Sequence, residues 1–157
     1  MAQPNPSIVR GVRLALIVTA AALVGPSAAA AQSGKWVGTV STLRSAGGSA
    51  DITIEPRGEK QSRVRVTVRN VNRDMRIAWD IVAGQCRDNG APIAPQAAFT
   101  QLQSQMDGGG SATANVPKLT SGQPYYVRVF DPQVSPTDDN VWGCANLAEK
   151  PSSPGAP

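Results

Sequence analysis

The sequence predicts an all-β domain built as a two-sheet antiparallel sandwich of about seven or eight short strands, and three observations carry that prediction. Apolar residues recur at every second position in short runs, the pattern of a strand with one wet face. Clusters of Gly, Pro, Asn and Asp separate the runs at intervals of about ten residues. Long helical periodicity is missing. The segments that meet these criteria are 35–42, 50–55, 62–71, 76–82, 110–116, 124–130 and 140–145. A single sheet of such strands would leave one apolar face in water, so two facing sheets are the economical arrangement, with a small closed barrel as the competitor.

The clearest strand is 62–71. Val64, Val66 and Val68 fall on one side, and Arg63, Arg65, Thr67 and Arg69 on the other. Ile52 and Ile54, then Ile77, Trp79 and Ile81, repeat the alternation, and Ala112, Ala114 and Val116 follow it weakly. Residues 92–107 break the pattern. Phe99, Leu102 and Met106 stand at helical spacing there, after two prolines, so a short helix and an irregular crossover both fit. Gly108 to Gly110 precede a strand rather than a helix, which favours a turn over a phosphate cradle.

The chain ends call for separate treatment. Residues 1–31 have the three parts of a secretory signal: basic Arg10 and Arg13, an apolar stretch from Leu14 to Val24, and small residues from Ser27 to Ala31 after the helix-breaking Gly25 and Pro26. Cleavage is expected after Ala31. The apolar stretch is short of the roughly 20 residues that span a bilayer, and a retained anchor is the alternative. The expected domain is 32–149, followed by a disordered Pro, Ser, Gly and Ala tail at 150–157. The protein is therefore expected to be exported, periplasmic or secreted, with no transmembrane segment after cleavage.

Composition closes several chemistries. The 157 residues contain no His, so an imidazole base, a proton shuttle, a Ser-His-Asp or Cys-His nucleophile and a histidine metal site are all excluded for this chain alone. The chain has 15 basic and 11 acidic residues. Without the signal, 13 basic residues face those 11 acids, a net charge of +2 that gives no support to a nucleic-acid partner. Charge is nonetheless uneven, with seven basic residues and two acids between Arg57 and Arg76. Arg63, Arg65 and Arg69 on one exposed strand invite an anionic envelope surface or an acidic polysaccharide, unless Asp51, Glu55 or other cross-strand acids pair with them.

Cys86 and Cys144 are the only two thiols. An even count in an exported chain predicts a disulfide, here closing a loop of 57 intervening residues, for which chain entropy gives about 4 kcal/mol. No C-x-x-C spacing supports a redox role. Lys35, Lys60 and Lys118 formally permit a Ser-Lys dyad but read as surface lysines. Asp131, Asp138, Asp139 and Asn140 offer oxygen ligands for calcium, against the plainer reading of a Pro-broken acidic loop. Asp80, beside Trp79, is the one carboxylate that suggests a general base; its neighbours by alternation predict a solvent-facing strand position.

A run of segments resembles a known family. Trp79-Asp80-Ile81-Val82-Ala83-Gly84-Gln85-Cys86 resembles the W-H-x-H-x-G-x-C segment of small exported proteins related to chordin-type domains and, more distantly, to copper/zinc superoxide dismutases. Gly109 to Ala114, Gly122 with Tyr125 to Phe130, and Val141 to Leu147 resemble later segments of that family in order. The resemblance covers about residues 76–147 and implies an immunoglobulin-like, Greek-key sandwich with a disulfide tying a loop to the last strand. It does not carry the metal site, because Asp80, Val82 and Phe130 stand where the family places His. The expected function is thus an exported, non-catalytic domain of binding or structural type without metal or cofactor. An enzyme, such as a hydrolase, that uses Asp80 as a carboxylate base is the alternative.

Overall fold

The computed structural model describes residues 34–41, 43 and 47–151; the expected signal segment, its expected cleavage position and the tail beyond 151 lie outside the described residues. In chain order the strands are β1 (Lys35–Val40), β2 (Ser49–Arg57), β3 (Gln61–Arg69), β4 (Arg76–Ile77), β5 (Trp79–Ala83), β6 (Leu102–Gln103), β7 (Gly110–Pro117), β8 (Tyr125–Phe130), β9 (Val141–Asn146) and β10 (Ala148–Lys150). Every pairing is antiparallel.

Alternation decides the first sheet, ordered β10-β1-β2-β3-β7. Ile52 and Ile54 on β2, Val64, Val66 and Val68 on β3, and Ala112, Ala114 and Val116 on β7 are all buried, while the residues between them face outward. Register follows from that constraint, since a slip of one residue would turn the valines to water. Ile54 accordingly pairs with Val64, and Val64 with Ala114.

The second sheet, β5-β8-β9, obeys a different rule. All six residues of β8 and four of the five in β5 are buried, so this sheet is covered on both faces. Its inner face supplies Trp79, Ile81, Val127 and Val129 to the same apolar core as the valines of β3. Trp36 of β1 meets Tyr125 of β8 edge to face at 5.4 Å. The Tyr125 hydroxyl accepts the Thr120 N–H five residues upstream at 3.1 Å, a tyrosine-corner contact that fixes the entry to β8. Two sheets thus bury their apolar faces in one core, and among the described residues no ladder closes them into a barrel.

Two details differ from expectation, and one open alternative is decided. The segment 76–82 is two strands, because Arg76 and Ile77 pair with β6 while Trp79 onward pairs with β8. Residues 92–107 form an irregular crossover with one 3-10 turn at Gln96–Ala98, tied down by the Trp79 indole donating to the Thr100 carbonyl at 2.9 Å and by Trp79 against Phe99 at 5.1 Å. Lys150, assigned by composition to the tail, is instead the last strand residue and pairs with Lys35. Glu149 secures that strand by accepting from the Ser121 hydroxyl at 2.8 Å and from the Gly34 and Gly122 N–H groups. The glycine run behaves as the expected turn. Gly108 has φ +74°, and a Cβ there would lie 2.6 Å from the Val71 carbonyl oxygen.

Two measurements check this packing. Ile52→Ala should cost about 2–5 kcal/mol in urea denaturation, against within about 0.5 kcal/mol for Thr53→Ala one position away on the outer face. Reducing the disulfide should lower stability by about 2–4 kcal/mol while leaving the β-sheet circular dichroism in place, because the core is independent of it.

Candidate functional site

The outer face of the three-stranded sheet carries the chemistry. Asp80 and Val82 of β5 and Tyr126, Arg128 and Phe130 of β8 alternate away from the core and are nevertheless all at most 5% exposed. Two loops cover them: the segment following β5, through Cys86 and Asp88, and the segment before β9, through Asp138. Asp80 is therefore not the solvent-facing residue that alternation predicts. Alternation reports which residues oppose each other across a strand, and it carries no information about a loop folded over the outer face.

Arg128 stands directly opposite Asp80 in the ladder and grips it with two hydrogen bonds, Nε to Oδ1 at 2.9 Å and NH2 to Oδ2 at 2.7 Å. A third donor of Arg128, NH1, goes to Asp138. The guanidinium also lies 5.3 Å over the Phe130 ring. Burial pushes the Asp80 carboxyl above its ordinary value, opposed by the hydrogen bonds and charge of Arg128, while Asp80 in turn raises Arg128 and holds it protonated. The positions where the family resemblance places histidines thus hold a carboxylate engaged by Arg128, an aliphatic side chain and an aromatic ring.

Above this pair opens a cleft of about 540 Å³. Tyr126 and Arg128 of β8 line it, together with Arg87 and Asp88 from the segment after β5, Asp138 from the segment before β9, and Trp142 and Cys144 of β9. Asp80 does not line it. Cys86 and Cys144 are joined as a disulfide, with Cα atoms 5.9 Å apart, and the Cys86 N–H donates to Asn146 Oδ1 at 2.7 Å. The loop is further pinned by the Tyr126 hydroxyl, which donates to the Asp88 carbonyl. The bridge therefore anchors the cleft wall to β9 as well as closing a long loop.

Three of the four calcium candidates are engaged elsewhere. Asp131 accepts the N–H of Gln133, Asp138 is committed to Arg128, and the Asn140 amide donates to Ser135 and Thr137. No group of three acidic, Cys or His side chains able to hold a metal occurs among the described residues. Lys35 pairs with Glu55 at 3.1 Å, and Lys60 and Lys118 are exposed, as surface lysines should be.

The arginine strand lies as the alternation predicts, with Arg63, Arg65 and Arg69 exposed beside buried valines. Cross-strand acids offset them only in part. Asp51 reaches Arg69 at 3.8 Å, but Glu55, directly opposite Arg63, is taken by Lys35. Arg65 sits between Thr53 and Thr113. On this outer face Lys35, Arg57, Arg63, Arg65 and Arg69 outnumber Asp51 and Glu55.

Sequence reasoning assigned no site role to Arg128, Tyr126 or Trp142, and it offered Asp138 to calcium rather than to Arg128. One signal was present: Tyr125 to Phe130 is an apolar run interrupted by a single Arg, and a charge within a strand buried on both faces needs a buried partner. Compared with protein-family models, curated proteins and solved structures, the chain has no significant match.

Removing one partner of the buried pair leaves the other charge uncompensated. Asp80→Ala and Arg128→Ala should each cost about 3–5 kcal/mol, and the joint change Asp80→Leu with Arg128→Met should recover much of that loss in denaturant titrations. A separate expectation concerns pH. Because the folded-state pKa of Asp80 lies above the ordinary 3.8, the native state holds this proton to higher pH than the unfolded chain. Between those two values stability from this group falls as pH rises, opposite in sign to an ordinary exposed ion pair. Carbon-detected NMR titration should place the Asp80 midpoint above 3.8.

Proposed function

We propose that this is an exported, non-catalytic binding domain, a metal-free relative of the chordin-type and dismutase-like sandwiches, that contacts anionic surfaces or acidic polysaccharides through Arg63, Arg65 and Arg69. The observation that carries the non-catalytic reading is the state of Asp80. Both oxygens of the one candidate base accept from Arg128, and the carboxyl is buried beneath the cleft rather than in its wall. A general base needs to come within hydrogen-bond reach of the substrate proton, and a carboxyl 1% exposed and absent from the cleft lining does not. The disulfide supports an oxidising compartment.

The contact surface is argued from charge that lacks a partner. Arg63 and Arg65 project about 7 Å apart along one strand, on a face where cations exceed carboxylates. Flat, salt-screened attraction of this kind favours an extended anion over a compact one. Flanking Thr53, Thr113 and Asn115 add hydroxyl and amide groups for hydrogen bonds to such a chain.

Two experiments test the reading. Dialysed mature protein should hold neither copper nor zinc stoichiometrically and should not dismute superoxide; one equivalent of either metal, lost on Asp80→Ala, would overturn it. The protein should be retained on heparin at low salt and released near physiological ionic strength, and changing Arg63, Arg65 and Arg69 jointly to Ser should abolish retention. Arg69→Ser alone should matter least, since Asp51 already screens that residue.

A further inference from the structure

The segment from Asp131 to Asn140, which leads from β8 to β9, is a loop closed on itself and held to the domain at one point. The Asp131 N–H donates to the Asn140 carbonyl at 3.0 Å, so the two ends meet, as in other compact surface loops of this length. Within the loop the Gln133 N–H donates to Asp131 Oδ1 at 2.9 Å, and the Asn140 amide donates to the Ser135 carbonyl at 3.0 Å and to Thr137 Oγ1 at 2.9 Å. All of these bonds stay inside the segment. Among the described residues a single hydrogen bond leaves it, the one that Arg128 NH1 donates to Asp138.

Packing adds no second anchor. No residue from 131 to 140 is buried or belongs to the apolar core, and the one large apolar side chain among them, Val134, is 48% exposed. A segment with so little buried surface opens locally without the rest of the fold, unless something specific holds it. Here that something is the charge-assisted bond between Asp138 and Arg128, and its two ends are unlike. The Asp138 side chain is 53% exposed and that of Arg128 only 6%. Asp80 grips the same guanidinium through Nε and NH2, so when the contact breaks the carboxylate of Asp138 leaves and the arginine stays.

Lifting this loop reverses the charge of the cleft. The charged side chains that line it are Arg87 and Arg128 against Asp88, Asp138 and Asp139, two cations against three carboxylates. Two of the three carboxylates belong to the loop. With the loop lifted, two cations face one carboxylate, and NH1 of an arginine that cannot lose its proton has no partner. A lone buried guanidinium donor favours an oxyanion, which takes up the position that the Asp138 carboxylate has left. We propose that residues 131–140 are a strap whose Asp138 occupies, on Arg128, the place of an external oxyanion. The cleft is closed to carboxylate, sulfate or phosphate groups while the strap is down and accepts them when it lifts.

This strap lies on the other sheet from the arginine strand, and the experiment separates the two. In the full disulfide-bonded protein, Asp138→Ala should lower the ¹⁵N order parameters of Val134 and Ser135 from the rigid range of about 0.85 to about 0.6 or below, with Val127 and Val129 of β8 unchanged. Asp139→Ala removes a lining carboxylate without touching the tether and should leave those values as they are in the unmodified protein. Inorganic sulfate is then titrated while the Arg128 Nε–H signal is followed. Asp138→Ala should respond at concentrations about 10-fold or more below those the unmodified protein needs, the effect of one hydrogen bond to a charged group. Changing Arg63, Arg65 and Arg69 jointly to Ser should not alter that response. The proposal is overturned if Asp138→Ala leaves the loop as rigid as before, if Val127 and Val129 loosen together with it, or if sulfate acts on Arg128 equally in both proteins.

Discussion

A sheet buried on both faces contains one arginine, and that arginine dictates what surrounds it. Arg128 lies at the middle of β8 with hydrophobic neighbours in the strand and a covered outer face. A guanidinium cannot shed its charge at any accessible pH, so burial is tolerable only where carboxylates meet its donors with good geometry. Asp80 does so from the directly opposed position of β5, with both oxygens, and Asp138 does so from the loop that closes over the pair. The ladder register, the loop path and the charge site are therefore one constraint. A shift of β5 against β8 by a single residue would separate Asp80 from Arg128 and leave Asp80 buried without its partner.

The two large sheets divide the work of the domain unequally. The five-stranded sheet is a plain alternating structure, apolar within and polar without, and its outer face carries a cationic strand over hydroxyl-bearing neighbours. The three-stranded sheet is overlaid by loops, and the space between those loops becomes a cleft lined by side chains of both charges. Flat charged surfaces suit extended partners, and concave ones suit small ligands held by directed hydrogen bonds. Both are present on a chain that contains no imidazole.

The disulfide connects the two aspects. It ties the loop after β5 to β9 beside the cleft, where Asn146 also accepts the Cys86 N–H. Its loop-closing effect acts on the unfolded chain, whereas its effect on the cleft is local, fixing the backbone on which Arg87 and Asp88 stand. Tyr126 contributes from below by donating to the Asp88 carbonyl. The wall is thus held from the sheet, from the bridge and from its own turn.

The amino-acid sequence by itself determined the strands whose one face is wet. Val64, Val66 and Val68 between arginines admit no other reading, because period-two alternation is a local property set by burial on one side. The pairing of two lone cysteines was legible for the same reason of simplicity, since two thiols permit only one bridge within the chain. Only the tertiary structure decided the fate of Asp80, the partner of Arg128, the commitment of Asp138 to that arginine, and the cleft itself. Those depend on contacts between residues such as Asp80 and Arg128, 48 positions apart, and on loops that cover a strand from outside. Alternation within a segment records which side of a strand a residue occupies. What lies over that side is set by chain elements far away in sequence, and no local pattern encodes it.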